Sequence, residues 1–221
     1  LFKSLRQLGY RVESPNDRLP VTIHGEGPRA GKCAVSISES SQFASALLLS
    51  GTVGRWKIEL EGENSEESPY VSMTAELIRQ FPYSGGPFGI EPDASSASYI
   101  WGADWLLKQS GSQISVPGWM KTSLQIDARF PHVINEFPKT ISRHDQLGDS
   151  IMTAIVLAPF ASEPKQFTDL GRLRVQECER VFALRTELQK CGGRVEEEGD
   201  TLTVYPSKLR GATIHTYNDH R

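Results

Sequence analysis

The chain has 221 residues, 38% of them hydrophobic, with a formal net charge of -3, enough for one large domain or two smaller ones with real cores. That charge argues against a broad nucleic-acid or anionic-membrane surface, which wants a basic excess, so any anion binding has to come from local arginines and helix ends. No apolar run approaches the length of a membrane span, and Cys33, Cys178 and Cys191 lack ligand-like spacing and read as free thiols of a reducing cytosol.

Leu1, Phe2, Leu5 and Leu8 have helical spacing, and Gly9 stops the pattern. Residues 10–14 and 20–24 alternate like strands around a turn at 15–17. Residues 25–31 have the wrong glycine spacing for a dinucleotide loop and contain Pro28, so they read as a connector. A strand near 33–38 then delivers Ser40, Ser41 and Gln42 to the start of a helical run, 43–49. A helix start carries unpaired N–H groups and the positive end of the peptide dipole. One serine suffices as a cap; two and a glutamine are either a redundant cap or a seat for a phosphate or carboxylate. Residues 56–60 read as a strand, and Pro69 suits the opening of a helix over 71–81. The Gly- and Pro-rich stretch 83–92 is the best hinge candidate.

A second polar helix start, 93–98, leads into a helix over 99–107, and 113–116 reads as a strand. Residues 148–150 form a third start before the apolar run 151–158. Residues 174–190 read as one long amphipathic helix closed by Gly192 and Gly193. Residues 194–198 and 201–205 pair across the turn Gly199-Asp200, and a strand at 213–216 leads to a fourth polar start, 217–221. Residues 1–24 and 181–205 repeat one order: helix, glycine, strand, turn, strand. The expected architecture is α/β (α+β), with mixed sheets and inner helices in two domains, 1–92 and 93–221. An opening on Leu1 and a close on Arg221 read as an internal piece of a longer protein.

For chemistry, Asp149, Glu177 and Asp219 offer acid or base groups, and Arg172, Arg174, Arg180 and Arg221 offer forked donors for phosphate or carboxylate. Glu177 and Arg180, three apart, make either a surface ion pair or part of a site; Asp149 is either a helix cap or a site residue. Of the five histidines only His220 falls in a polar cluster, and no metal-ligand spacing is expected.

Six motifs occur in order: S-S-Q-F-x-S-A-L-L-L from Ser40, P-Y-V-x-M-T from Pro69, D-A-S-S-A-S-Y from Asp93, G-D-S-I-M-T-A from Gly148, R-V-x-E-x-x-R from Arg174 and Y-N-D-H-R from Tyr217. This series resembles the 5-enolpyruvylshikimate-3-phosphate synthase family over essentially the whole chain. The resemblance implies a two-domain enolpyruvyl transferase fold of repeated βαβαββ units, here incomplete at both ends. It implies transfer of the enolpyruvyl group of phosphoenolpyruvate to the 5-hydroxyl of shikimate 3-phosphate by addition and elimination, without cofactor or metal, in a cytoplasmic protein that is a monomer when complete. Ser40, Ser41 and Gln42 match contacts to the shikimate phosphate, and Tyr70 another residue on that substrate. Asp149 matches the general base, Glu177 the residue handling protons at the phosphoenolpyruvate methylene, and Arg180 and Arg221 the grip on phosphoenolpyruvate. Gln176, Asp219 and His220 complete the expected binding set.

Departures stand beside these matches. Gln176 replaces a usual lysine, Glu67 and Ser68 replace a serine and a basic residue, and Arg172 stands where asparagine is common. The family's amino-terminal Lys-Ser segment, its glycine-rich phosphoenolpyruvate loop and a carboxy-terminal lysine are not in this chain. Two readings follow: part of the transferase, inactive by itself, or a catalytically inactive fragment or homologue that keeps the fold and weak anion binding. Gln176 and Glu67 favour the second; Asp149, Glu177, Arg180 and Arg221 favour the first.

Overall fold

A computed structural model describes residues 1–38, 40–62, 68–108, 110–119 and 124–221. The chain divides into two compact units, Leu1–Gly89 and Ile90–Arg221. Glu67, one of the departures above, lies outside the described residues.

In the first unit, helix α1 (Phe2–Gln7) precedes an antiparallel pair, β1 (Arg11–Glu13) and β2 (Thr22–His24). Strand β3 (Gly31–Ser36) then runs parallel to β4 (Trp56–Glu61), and α2 (Gln42–Gly54) makes the crossover that a parallel pair needs. The Ser4 hydroxyl donates to the Ala34 carbonyl at 2.7 Å and ties α1 to β3. Val35, Ile37, Ala44, Leu47 and Val71 form the core. Helix α3 (Ser68–Gln80) meets α2 through the Ser45 and Thr74 hydroxyls, 2.9 Å apart. α2 ends at Arg55, a left-handed cap with φ 54°. The chain then turns so tightly that a Cβ on Gly54 would meet the Trp56 ring at 2.3 Å.

The second unit is built on a four-stranded sheet in the order β5-β6-β8-β7. Strands β5 (Thr140–Ser142) and β6 (Lys165–Thr168) are parallel; β6–β8 and β7–β8 are antiparallel. The hairpin β7 (Arg194–Glu198) and β8 (Thr201–Tyr205) has the bounds that the sequence pattern predicts. Helices α4 (Ala94–Lys108), α5 (Phe130–Glu136), α6 (Ile151–Leu157) and α7 (Arg180–Lys190) complete the unit. Phe130, Ile141, Ile151, Ile155, Phe167 and Leu202 are fully buried at its centre. α4 and α6 approach closely: Ser98 and Thr153 hydroxyls lie 2.7 Å apart, and Gly102 faces Leu157 with space for no side chain at rest.

Four expectations are corrected. Among the described residues, 113–116 and 213–216 form no strand. Residues 217–221 turn rather than start a helix, because Tyr217 and Asn218 sit in the left-handed region at φ 56° and 54°. The run 174–190 is not one helix: a 3-10 turn, Leu170–Arg174, is followed by irregular backbone at 175–179, and α7 begins at Arg180. Side chains at both ends of the break explain it. Arg174 reaches across to Asp200 and Glu197 of the hairpin, while the Glu179 carboxylate accepts from the Phe182 amide and caps α7. Polar groups that satisfy a helix start locally end the preceding helical pattern, whatever its hydrophobic spacing.

Candidate active site

In the first unit the polar stretch before α2 is arranged around Ser40 and Ser41. The Ser40 hydroxyl accepts from the Gln42 amide at 3.2 Å, and Ser41, only 5% exposed, supplies the carbonyl for the Ser45 amide. Gln42 is exposed, and half-buried Tyr70, in the first turn of α3, accepts at its carbonyl from Thr74. Ser40 thus holds the first amide of α2 in a local turn one residue before the N-cap, Ser41, and Gln42 is exposed beside it.

The second unit gathers most of the predicted residues. The break before α7 places Gln176, Glu177 and Cys178 on irregular backbone, and the turn at 217–219 brings Asp219 against the first residue of α7. Arg180, 3% exposed, is the hub. Its Nε and Nη2 donate to the two oxygens of Asp219 at 2.7 and 3.0 Å, its Nη1 donates to Gln176 Oε1 at 2.5 Å, and its Nη2 also lies 2.6 Å from Glu177. Asp149 lies 3.8 Å from Arg180 and 3.7 Å from Arg221. Arg143, buried in the loop after β5, donates to the other Asp149 oxygen at 3.3 Å. The Arg221 amide donates to Asp219 at 3.0 Å.

Three guanidiniums, Arg143, Arg180 and Arg221, are thereby matched by three carboxylates, Asp149, Glu177 and Asp219. The partners differ in exposure. The Asp219 side chain is 7% exposed, whereas that of Glu177 is 47% exposed, so Glu177 is the more solvent-screened and weaker-held partner of Arg180. Hydrogen bonds from Arg180 hold the Asp219 carboxyl far below the usual carboxylate range. Burial works against the Arg180 charge, but Asp219 outweighs it and the guanidinium stays firmly protonated. The Cys178 thiol donates to Asp219 at 3.2 Å; burial first, then that carboxylate, push it up to about 11. Glu177, Asp219 and His220 offer ligand atoms within 4.8 Å of one another, yet both carboxylates are already committed to Arg180.

Sequence reasoning missed two neighbours, Arg143 and Asp127. Arg143 carried no motif. Asp127, 5% exposed, accepts from the amides of Gly148 and Ser150 at 2.8 and 3.0 Å, and its apolar surroundings raise its pKa. Asp93 caps α4 through the Ser95 amide and feels the Arg221 charge. Cys178, read from the sequence only as a free thiol, joins the site through Asp219. Arg174, by contrast, is not a free clamp: it is held by Glu179, Glu197 and Asp200 at 2.5, 2.8 and 2.9 Å.

The family model described as EPSP synthase (3-phosphoshikimate 1-carboxyvinyltransferase) matches residues 1–146 and 143–221. Curated relatives carrying the name 3-phosphoshikimate 1-carboxyvinyltransferase include one from Pseudomonas syringae pv. tomato, 33% identical over 249 residues, which the chain matches along 100% of its own length and 59% of the relative's. Another from Rhizobium etli has the same identity and coverage, 33%, 100% and 59%. One from Vibrio cholerae is 31% identical over 263 residues, with 100% and 61% covered. The chain therefore spans about 59% of the length of the curated relatives it matches. The solved structure of EPSP synthase from Acinetobacter baumannii superposes with a TM-score of 0.56 at 16% identity, over 98% of this chain and 60% of that one, a likeness of fold.

Proposed function

We propose, since the chain belongs to the EPSP synthase family, that it works within a protein that transfers the enolpyruvyl group of phosphoenolpyruvate to the 5-hydroxyl of shikimate 3-phosphate and releases phosphate. The single observation that carries the reading to residues is the ring of Arg143, Arg180 and Arg221 around Asp149, with half-exposed Glu177 on Arg180.

On this reading Arg180 and Arg221 take the phosphate or carboxylate of phosphoenolpyruvate, and Glu177 leaves Arg180 as the ligand arrives. Asp149 accepts the proton of the 5-hydroxyl as its oxygen bonds to C2 of phosphoenolpyruvate, and Glu177 delivers a proton to C3. The tetrahedral adduct then breaks its C2–phosphate bond, a C3 proton returns to Glu177, and phosphate departs. Ser40, Ser41, Gln42 and Tyr70 of the first unit hold the shikimate phosphate by hydrogen bonds. Gln176 keeps Arg180 in place by accepting from it, a role that a lysine, which has donors only, could not take, and the site forgoes that lysine's charge. Asp219 fixes the Arg180 fork, and His220, beside Glu177 at 3.6 Å, completes the binding set. The reading includes a cytoplasmic monomer.

Deuterium labelling tests the chemistry. In D2O, the protein that carries this chain within the family's full length is expected to place deuterium in the C3 methylene of the product and of recovered phosphoenolpyruvate, and Glu177→Gln to suppress it. Turnover without label at C3 overturns the addition–elimination assignment.

A further inference from the structure

The carboxylate of Asp127 lies outside every motif above and is almost wholly buried. It sits in the 3-10 turn Ile126–Arg129 that leads into α5, 21 to 23 residues before the groups it binds. One oxygen, Oδ1, accepts from the Gly148 amide at 2.8 Å, the Ser150 amide at 3.0 Å and the Ser150 hydroxyl. The two amides are those immediately before and after Asp149. A single buried acceptor therefore anchors the backbone on both sides of the one carboxylate that the three arginines surround.

We infer that Asp127 is a positioning residue for Asp149, aiming its carboxylate into the arginine ring; the inference rests on the reading of Asp149 as the proton acceptor. The geometry favours this over a simple cap of α6. A cap satisfies the first amides inside a helix, whereas Asp127 holds two amides that precede the first helical residue, Ile151. Placing a second carboxylate beside Asp149 is also costly: desolvation and the Asp149 charge both work against ionised Asp127.

Two variants separate the roles. Asp127→Asn keeps an acceptor oxygen at the same reach and loses the charge; Asp127→Glu keeps the charge and moves the oxygen by one methylene. Positioning predicts that Glu is the harmful change. In the protein carrying this chain within the family's length, kcat should fall roughly 100-fold for Glu, the loss typical of a misplacement near 1 Å. KM should hold, and Asn should retain far more activity. In the same protein, amide hydrogen exchange at residues 148 and 150 should quicken at least about tenfold in Glu and stay slow in Asn, for a lost backbone hydrogen bond of about 1.4 kcal/mol. Equal losses in both variants, a change confined to KM, or unchanged exchange in Glu would overturn the inference. If the wild type turns over no substrate at all, the functional reading fails, while the exchange rates still decide whether Asp127 anchors Asp149.

Discussion

Replacing Arg180 with methionine removes a buried charge from the centre of the second unit while keeping most of its volume. The loss follows from its partners. Asp219, 7% exposed, loses both hydrogen bonds of a bidentate pair, and Gln176 loses a donor at 2.5 Å. Breaking one side of a buried pair typically costs about 3–5 kcal/mol, because the other charge stays buried without compensation. With a urea dependence of about 2 kcal/mol/M, that is a fall of roughly 2 M in the unfolding midpoint at pH 7. The pH dependence has a fixed sign. Asp219 has a folded-state pKa depressed below its ordinary 3.8, so its contribution is present above that value and is lost as pH falls towards the depressed one. The gap between Arg180→Met and wild type should therefore be widest near neutrality and close below about pH 4. Chemical denaturation across this range is the assay. A midpoint unchanged at pH 7, or a gap that widens on acidification, would refute the argument. Adding Asp219→Leu to the variant should restore part of the loss, since the stranded charge goes with it.

Cys178 should alkylate more slowly at pH 8 than a free thiol, with half-maximal rate near pH 11, and Asp219→Asn should speed it; iodoacetamide labelling followed by mass spectrometry reads both. Gly102→Ala should change the stability of the second unit by no more than about 1 kcal/mol, since a helix-propensity gain of about that size offsets the new methyl's contacts with Leu157 and Thr153 at 3.1 Å across the α4–α6 contact. Thermal unfolding measures it, and a loss of about 3 kcal/mol would mean that α6 does not yield at all.

Local patterns carried the regular elements well. The hairpin 194–205 was legible because Gly199-Asp200 fixes the register and the flanking residues alternate. The polar starts before α2 and α4 were legible because serine and aspartate before apolar runs favour helix starts, and at α4 Asp93 caps as that chemistry expects. What escaped was set by side chains distant in sequence. Arg174 draws its energy from Glu197 and Asp200, so nothing within 174–190 announces that the helix breaks there. The same holds for the site. Asp149, Glu177, Arg180 and Arg221 stand in motifs, and the resemblance pointed to them. Arg143 meets Asp149, and Asp127 the amides of its two neighbours, only through the fold of the second unit, in stretches with no recognisable pattern. The turn at 217–218 was hidden for another reason: non-glycine residues at positive φ leave little trace in the sequence, although asparagine is the commonest of them.

The central claim, enolpyruvyl transfer, is met most directly by 31P NMR of phosphoenolpyruvate and shikimate 3-phosphate incubated with the protein that carries this chain within the family's length. The expected spectrum replaces both substrate signals with one new phosphomonoester and an equal amount of inorganic phosphate, and Asp149→Asn leaves the substrates intact. Phosphate released without shikimate 3-phosphate, or two unchanged substrate signals with wild-type protein, would contradict the account.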